Sequence, residues 1–125
     1  MPSYLRRFDR RRHYRDGNIS DEVFTCRDGE GELSYTFFEE GLSVSEFQRD
    51  KALDSGDLPG IIKINSDQFA SLKLESPTLA VDARDPKYGH LHHITPCLDA
   101  MKAELIAKIL SESNSVLVDF KKRKH

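Results

Sequence analysis

Three of the five histidines, His90, His92 and His93, fall within four residues of one another. Imidazole is the side chain that exchanges protons near neutral pH, and it is the commonest nitrogen ligand for metals. In an extended segment alternate side chains share a face. His90, His92 and Ile94 would then point one way, and Leu91, His93 and Thr95 the other. Upstream, Thr78–Ala83 reads as a strand and Asp85-Pro86-Lys87-Tyr88-Gly89 as a turn, so His90–Ile94 is the returning strand of a hairpin. If Ala83 meets Gly89, Asp82 falls opposite His90 and Ala80 opposite His92. Leu79, Val81, Ala83 and Leu91 then build the greasier face. A slip of one residue would put Asp82 with His93 instead.

Asp82, His90 and His92 on one face form a donor set suited to zinc, iron or manganese, and a divalent metal is the one cofactor this pattern could recruit. The same groups could serve as a general base with an orienting acid. A solvated hairpin face would also select these residue types. His93, on the other face, is expected to be half-buried and hydrogen-bonded. Cys97 is expected just inside a helix N-terminus, where the dipole lowers a thiol pKa. His92, His93 and Cys97 are therefore the candidate catalytic residues, with a small buried apolar role as the alternative for Cys97.

Other catalytic signatures are missing. No phosphate-binding glycine loop or dinucleotide fingerprint occurs, and Gly29-Glu30-Gly31-Glu32 puts acids where a phosphate would sit. No serine lies in a nucleophile elbow.

The elements that must position these groups follow from pattern. Val23–Cys26 and Leu33–Phe38 read as strands. Ser43-Val44-Ser45-Glu46 matches a capping box, which opens a helix over about 44–54. Gly60–Ile64 is a β-branched strand, and Asn65 or Ser66 caps a short helix carrying Phe69 and Leu72. Thr95-Pro96 opens the main helix, over 96–113, with Leu98, Met101, Leu105, Ile106 and Ile109 at helical spacing and Leu110 on the flank. Ser115–Phe120 reads as a last strand. The order predicts an α+β fold: a mostly antiparallel sheet, one main C-terminal helix packed on it, and one or two short helices. At 125 residues, a single domain over 1–125 is expected.

Charge is segregated along the chain. Residues 1–15 carry Arg6, Arg7, Arg10, Arg11, Arg12 and Arg15 against Asp9, a balance of +5. Lys121, Lys122, Arg123 and Lys124 add +4 at the other end. The whole chain sums to −2, which leaves −11 for residues 16–120. A basic N-terminal arm (1–15) and a basic C-terminal tail (121–125) thus flank an acidic body. Tyr4, Leu5 and Phe8 interleave with the arginines, as one side of a short helix would. Such ends can contact an acidic protein partner or nucleic acid, or dock on the acidic body itself.

Cys26 and Cys97 are the only cysteines, and their separation reads as two reduced thiols, hence a cytoplasmic protein. No apolar run is long enough to span a membrane. The leading expectation is a small soluble interaction or accessory module that contacts an acidic partner through its basic ends. The rival is a metal-dependent hydrolase or nuclease-like enzyme centred on the histidine hairpin.

Overall fold

The computed structural model describes residues 2–26, 31–51, 57–86 and 89–117. Five strands build one antiparallel sheet: β1 (Ser3–Phe8), β4 (Glu32–Phe37), β5 (Gly60–Asn65), β6 (Thr78–Arg84) and β7 (Leu91–Pro96), in the order β5-β1-β4-β7-β6. Between β1 and β4 lie a one-turn helix α1 (Arg10–His13), the small ribbon β2 (Tyr14–Arg15) and β3 (Asn18–Ile19), and a 3₁₀ turn (Asp21–Phe24). Helices α2 (Val44–Asp50), α3 (Ser66–Ser71) and α4 (Ala100–Glu112) complete the fold. The architecture is α+β, with α4 as the one main helix on the sheet.

Alternation along the strands sorts the side chains into two faces. Tyr4, Phe8, Leu33, Tyr35, Ile62 and Ile64 point to the inner face and pack with Ala103, Ile106 and Leu110 of α4 and with Phe24 and Phe69. Each fully buried large side chain contributes about 1.5–3 kcal/mol. Leu5 and Ile61 point to the outer face, where Phe47 of α2 joins them. At the β1–β5 pairing, Gly60 lies opposite Phe8, and a methyl group there would overlap the Phe8 ring.

Local chemistry explains the shorter elements. Ser43 Oγ accepts from the Glu46 amide at 3.3 Å and starts α2. Asn65 and Gln68 form the reciprocal cap of α3, with the Asn65 amide donating to Gln68 Oε1 at 2.8 Å. The β2–β3 ribbon turns through Asp16 and Gly17, both at positive φ, 52° and 84°. That pair suits the tight turn that matches strand twist.

Several expectations are corrected. Tyr4, Leu5 and Phe8 belong to a strand, and residues 3–8 are not part of an arm: β1 is flanked by β5 and β4, because its apolar side chains are needed on both faces of the sheet. The expected strand at 23–26 is largely the 3₁₀ turn, capped by Ser20 Oγ accepting from the Glu22 amide at 3.2 Å. The main helix runs over 100–112, not 96–113. Thr95 and Pro96 stay in β7, paired with Leu33 and Glu32, and Asp99 caps the helix by accepting from the Lys102 amide at 2.9 Å. Its buried face is Ala103, Ile106, Ala107 and Leu110, which leaves Met101 and Leu105 exposed. Of the expected last strand, Val116 bridges Ile62 on the outer edge of β5, while residues 118–120 lie outside the described residues. The tail residues Lys121, Lys122, Arg123 and Lys124 lie outside them as well.

Candidate functional site

On the outer face, α2 covers only the β5–β1 half of the sheet. Beyond it a cavity of about 420 Å³ opens, lined among others by Leu5, Arg7, Ser34, Thr36, Asp82, His90 and His92. Its floor is the outward-pointing row of the sheet, where Thr36 pairs with Leu5 on one side and with His92 on the other. Its rim is the α2 C-terminus and the β6–β7 turn, joined by Lys51 Nζ and Asp85 Oδ2 at 2.7 Å. The ring of Phe47 meets the ring of His90 edge-on at 5.4 Å. The three residues expected to share a hairpin face, Asp82, His90 and His92, therefore line one cavity.

They do not meet as cross-strand partners. At the open end of the hairpin, Thr78 pairs with Ile94 and Leu79 with His93, the register that would continue to Asp82 opposite His90. By the turn the register has shifted, and Arg84 pairs with Leu91. Extra β6 residues bulge outward between these points, with Val81 fully exposed. Among the described residues no three His, Cys, Asp or Glu side chains are grouped to hold a metal ion. The bulge takes Asp82 out of register with His90.

Arg7 brings a cation to the cavity wall, and its Nη1 donates to the Lys51 carbonyl at 3.2 Å. Sequence reasoning assigned Arg7 to an arm and missed this placement. Strand alternation was the signal, since Arg7 follows Leu5 by two residues and shares its face. Arg84 also lines the cavity; its guanidinium donates to the Gly89 carbonyl and lies 3.7 Å from Glu39.

His93 sits elsewhere. It points to the inner face, stacked on Phe37 at 5.3 Å and tilted against Tyr4 at 5.4 Å. Its Nδ1 is buried with no hydrogen-bond partner among the described residues, so the expected hydrogen bond is missing. Burial lowers its pKa below the usual histidine value, and the neighbouring His92 lowers it further.

Cys97 is no nucleophile here: it is disulfide-bonded to Cys26, with Cα atoms 5.6 Å apart. The expectation of reduced thiols fails because distance along the chain is not distance in space. The Leu98 amide donates to the Phe24 carbonyl at 3.2 Å, which lays the end of β7 beside the end of the 3₁₀ turn. The cysteine argument for a reducing compartment goes with it.

The arginines divide into distinct roles. Arg6 is structural. Its Nε and Nη2 donate to the Val23 carbonyl at 2.9 and 2.6 Å, and Nη1 to the Ser34 carbonyl at 2.8 Å. These bonds fill the gap where β1 and β4, registered at Tyr4↔Phe37 and Leu5↔Thr36, stop pairing. Arg10, Arg11 and Arg12 lie on α1, which Asp9 caps by accepting from the Arg11 amide at 3.0 Å. Arg11 approaches Asp57 at 3.5 Å and stays largely exposed. Arg12 and Arg15 are exposed.

No family model, curated protein or solved structure matches this chain. The function must therefore be argued from the site itself. No helix among the described residues is long and apolar enough to cross a membrane.

Proposed function

We propose that the outer-face cavity is a phosphodiester-cleaving site that works by acid–base chemistry, with His90 and His92 as the proton-transfer pair. The observation that carries this reading is the convergence of Asp82, His90 and His92 with Arg7 around one cavity of about 420 Å³. A guanidinium matches phosphate oxygens with a rigid fork of donors, so Arg7 would hold the substrate phosphate. Asp82 adds a carboxylate to the cavity wall.

On a ribose diester, one neutral imidazole takes the proton of the 2′-hydroxyl as the 2′-oxygen bonds to phosphorus. The other, protonated, gives its proton to the 5′-oxygen as the phosphorus–oxygen bond breaks. The products are a 2′,3′-cyclic phosphate and a free 5′-hydroxyl. The two imidazoles have exchanged protonation states, and water resets them. No metal takes part.

The test is cleavage of a fluorogenic ribodinucleotide in excess chelator. The wild-type chain is expected to cut it, with His92→Ala and His90→Ala each losing about 10²–10⁴-fold. An uncut dinucleotide overturns the reading. Activity that the chelator abolishes overturns it in favour of the metal-dependent hydrolase. The interaction-module reading keeps one supporting observation, the exposure of Arg11, Arg12 and Arg15, all outside the cavity.

A further inference from the structure

We propose that the basic corner formed by α1 and β2 is the track along which a single-stranded polynucleotide reaches the histidine cavity. Arg7 lines both that cavity and a second cleft of about 410 Å³. Arg6, Arg12 and His13 line the second cleft with it, against a single carboxylate, Glu22. Arg12 in turn lines a third cleft of about 330 Å³ on the β2–β3 ribbon, together with Tyr14, Arg15 and one carboxylate, Asp16. Arg7 is thus common to the first and second concave surfaces, and Arg12 to the second and third.

Each cleft is of the size that takes a small ligand such as one nucleotide unit. Guanidinium groups repeated along a path match the repeating charge of a sugar–phosphate chain, and Tyr14 offers a ring on which a base can stack. In the second and third clefts these arginines face two acids, Glu22 and Asp16, while residues 16–120 as a whole carry −11. A wide duplex would meet that anionic body, whereas a single strand can keep to the clefts.

The inference rests on the phosphodiester reading of the cavity for its direction of travel, but its test is separate. Binding of a non-cleavable 2′-deoxy single strand of a dozen nucleotides is followed by fluorescence anisotropy across a salt series. The full chain is compared with Arg12→Ala/Arg15→Ala and Arg12→Lys/Arg15→Lys. Loss of two cationic contacts is expected to flatten the slope of log affinity against log salt by about 1.4, which is about 25-fold in affinity at 0.1 M salt. The lysine variant keeps the charge and is expected to keep the slope. Alanine variants that bind like the wild type overturn the track. So does an acidic peptide that binds the corner where the oligonucleotide does not, because that identifies a protein partner. Dinucleotide cleavage by the wild-type chain reports on the cavity alone, so failure of the track and failure of the cavity give different results.

Discussion

Removal of the Arg6 guanidinium should unfold this protein far more readily than removal of any exposed arginine. The Val23 carbonyl accepts from Arg6 at 2.9 and 2.6 Å, and Val23 is 3% exposed. Without its donor that carbonyl faces a desolvation penalty of about 1–3 kcal/mol. The guanidinium carbon also lies 6.0 Å from the Phe24 ring and 5.6 Å from the Tyr35 ring, contacts of about 0.5–1 kcal/mol each. The Ser34 carbonyl belongs to an exposed residue and can return to water, so it adds little. The sum for Arg6→Ala is about 2–5 kcal/mol, a large share of the ~5–15 kcal/mol that holds a typical domain together. For a chain of this length that is a fall of about 6–25 °C in Tm. Arg6→Lys keeps the charge but not the fork, and should lose roughly half as much. Arg12→Ala should stay within about 0.5 kcal/mol of the wild type. Urea unfolding followed by circular dichroism measures all three. If Arg6→Ala and Arg12→Ala unfold together with the wild type, Arg6 is a surface residue and the account of the β1–β4 gap is wrong.

Two further outcomes follow from the same structure. Thiol labelling of the unfolded, unreduced chain should find neither Cys26 nor Cys97 free, and Cys26→Ser/Cys97→Ser should cost up to about 4 kcal/mol, the loop-closure value for a separation of 71 residues; two labelled thiols would sink the disulfide. His93 has its pKa lowered in the folded state, so as pH falls below 6.5 the unfolded chain takes up that proton first and stability declines until the folded-state value is passed. The stability difference between wild type and His93→Phe, from urea midpoints between pH 7 and pH 5, should therefore shift toward the variant as acid is added, and a difference that ignores pH refutes the half-buried position of this ring.

What could be read from the sequence was whatever a short stretch decides for itself. Ser43 with Glu46 and Asn65 ahead of α3 announce helix starts, because a cap is a bond between near neighbours. The histidine hairpin was legible at its open end, where the pairing of Leu79 with His93 has the expected register. Near its turn it was not, since a bulge is an insertion that period-two alternation does not reveal. β1 was hidden by its arginines. A count of charges treats Arg6 and Arg7 alike, although one feeds a buried carbonyl and the other walls a cavity. The α4 face was misjudged because large apolar residues drew attention to Met101 and Leu105. Ala103 and Ala107 are buried instead, where small side chains let the helix approach the sheet. The bond between Cys26 and Cys97 depends on the path of the whole chain between them.

The two faces of the sheet are finished differently, and the proposed site lies on the less covered one. α4, α3 and the 3₁₀ turn seal the inner face with aromatic and branched side chains. On the outer face the apolar cluster of Leu5, Phe47 and Ile61 stops at β1, and Ser34, Thr36 and His92 follow. If that half-face had only to be wetted, nothing would need to hold a rim around it. Yet Lys51 and Asp85 meet across the cavity mouth at 2.7 Å, with side chains 17% and 28% exposed. A charge-assisted hydrogen bond of this length ties the two elements together. Arg84 and Gly89 brace the adjacent turn. Such bracing preserves the shape of a polar concavity, as the proposed phosphodiester site requires.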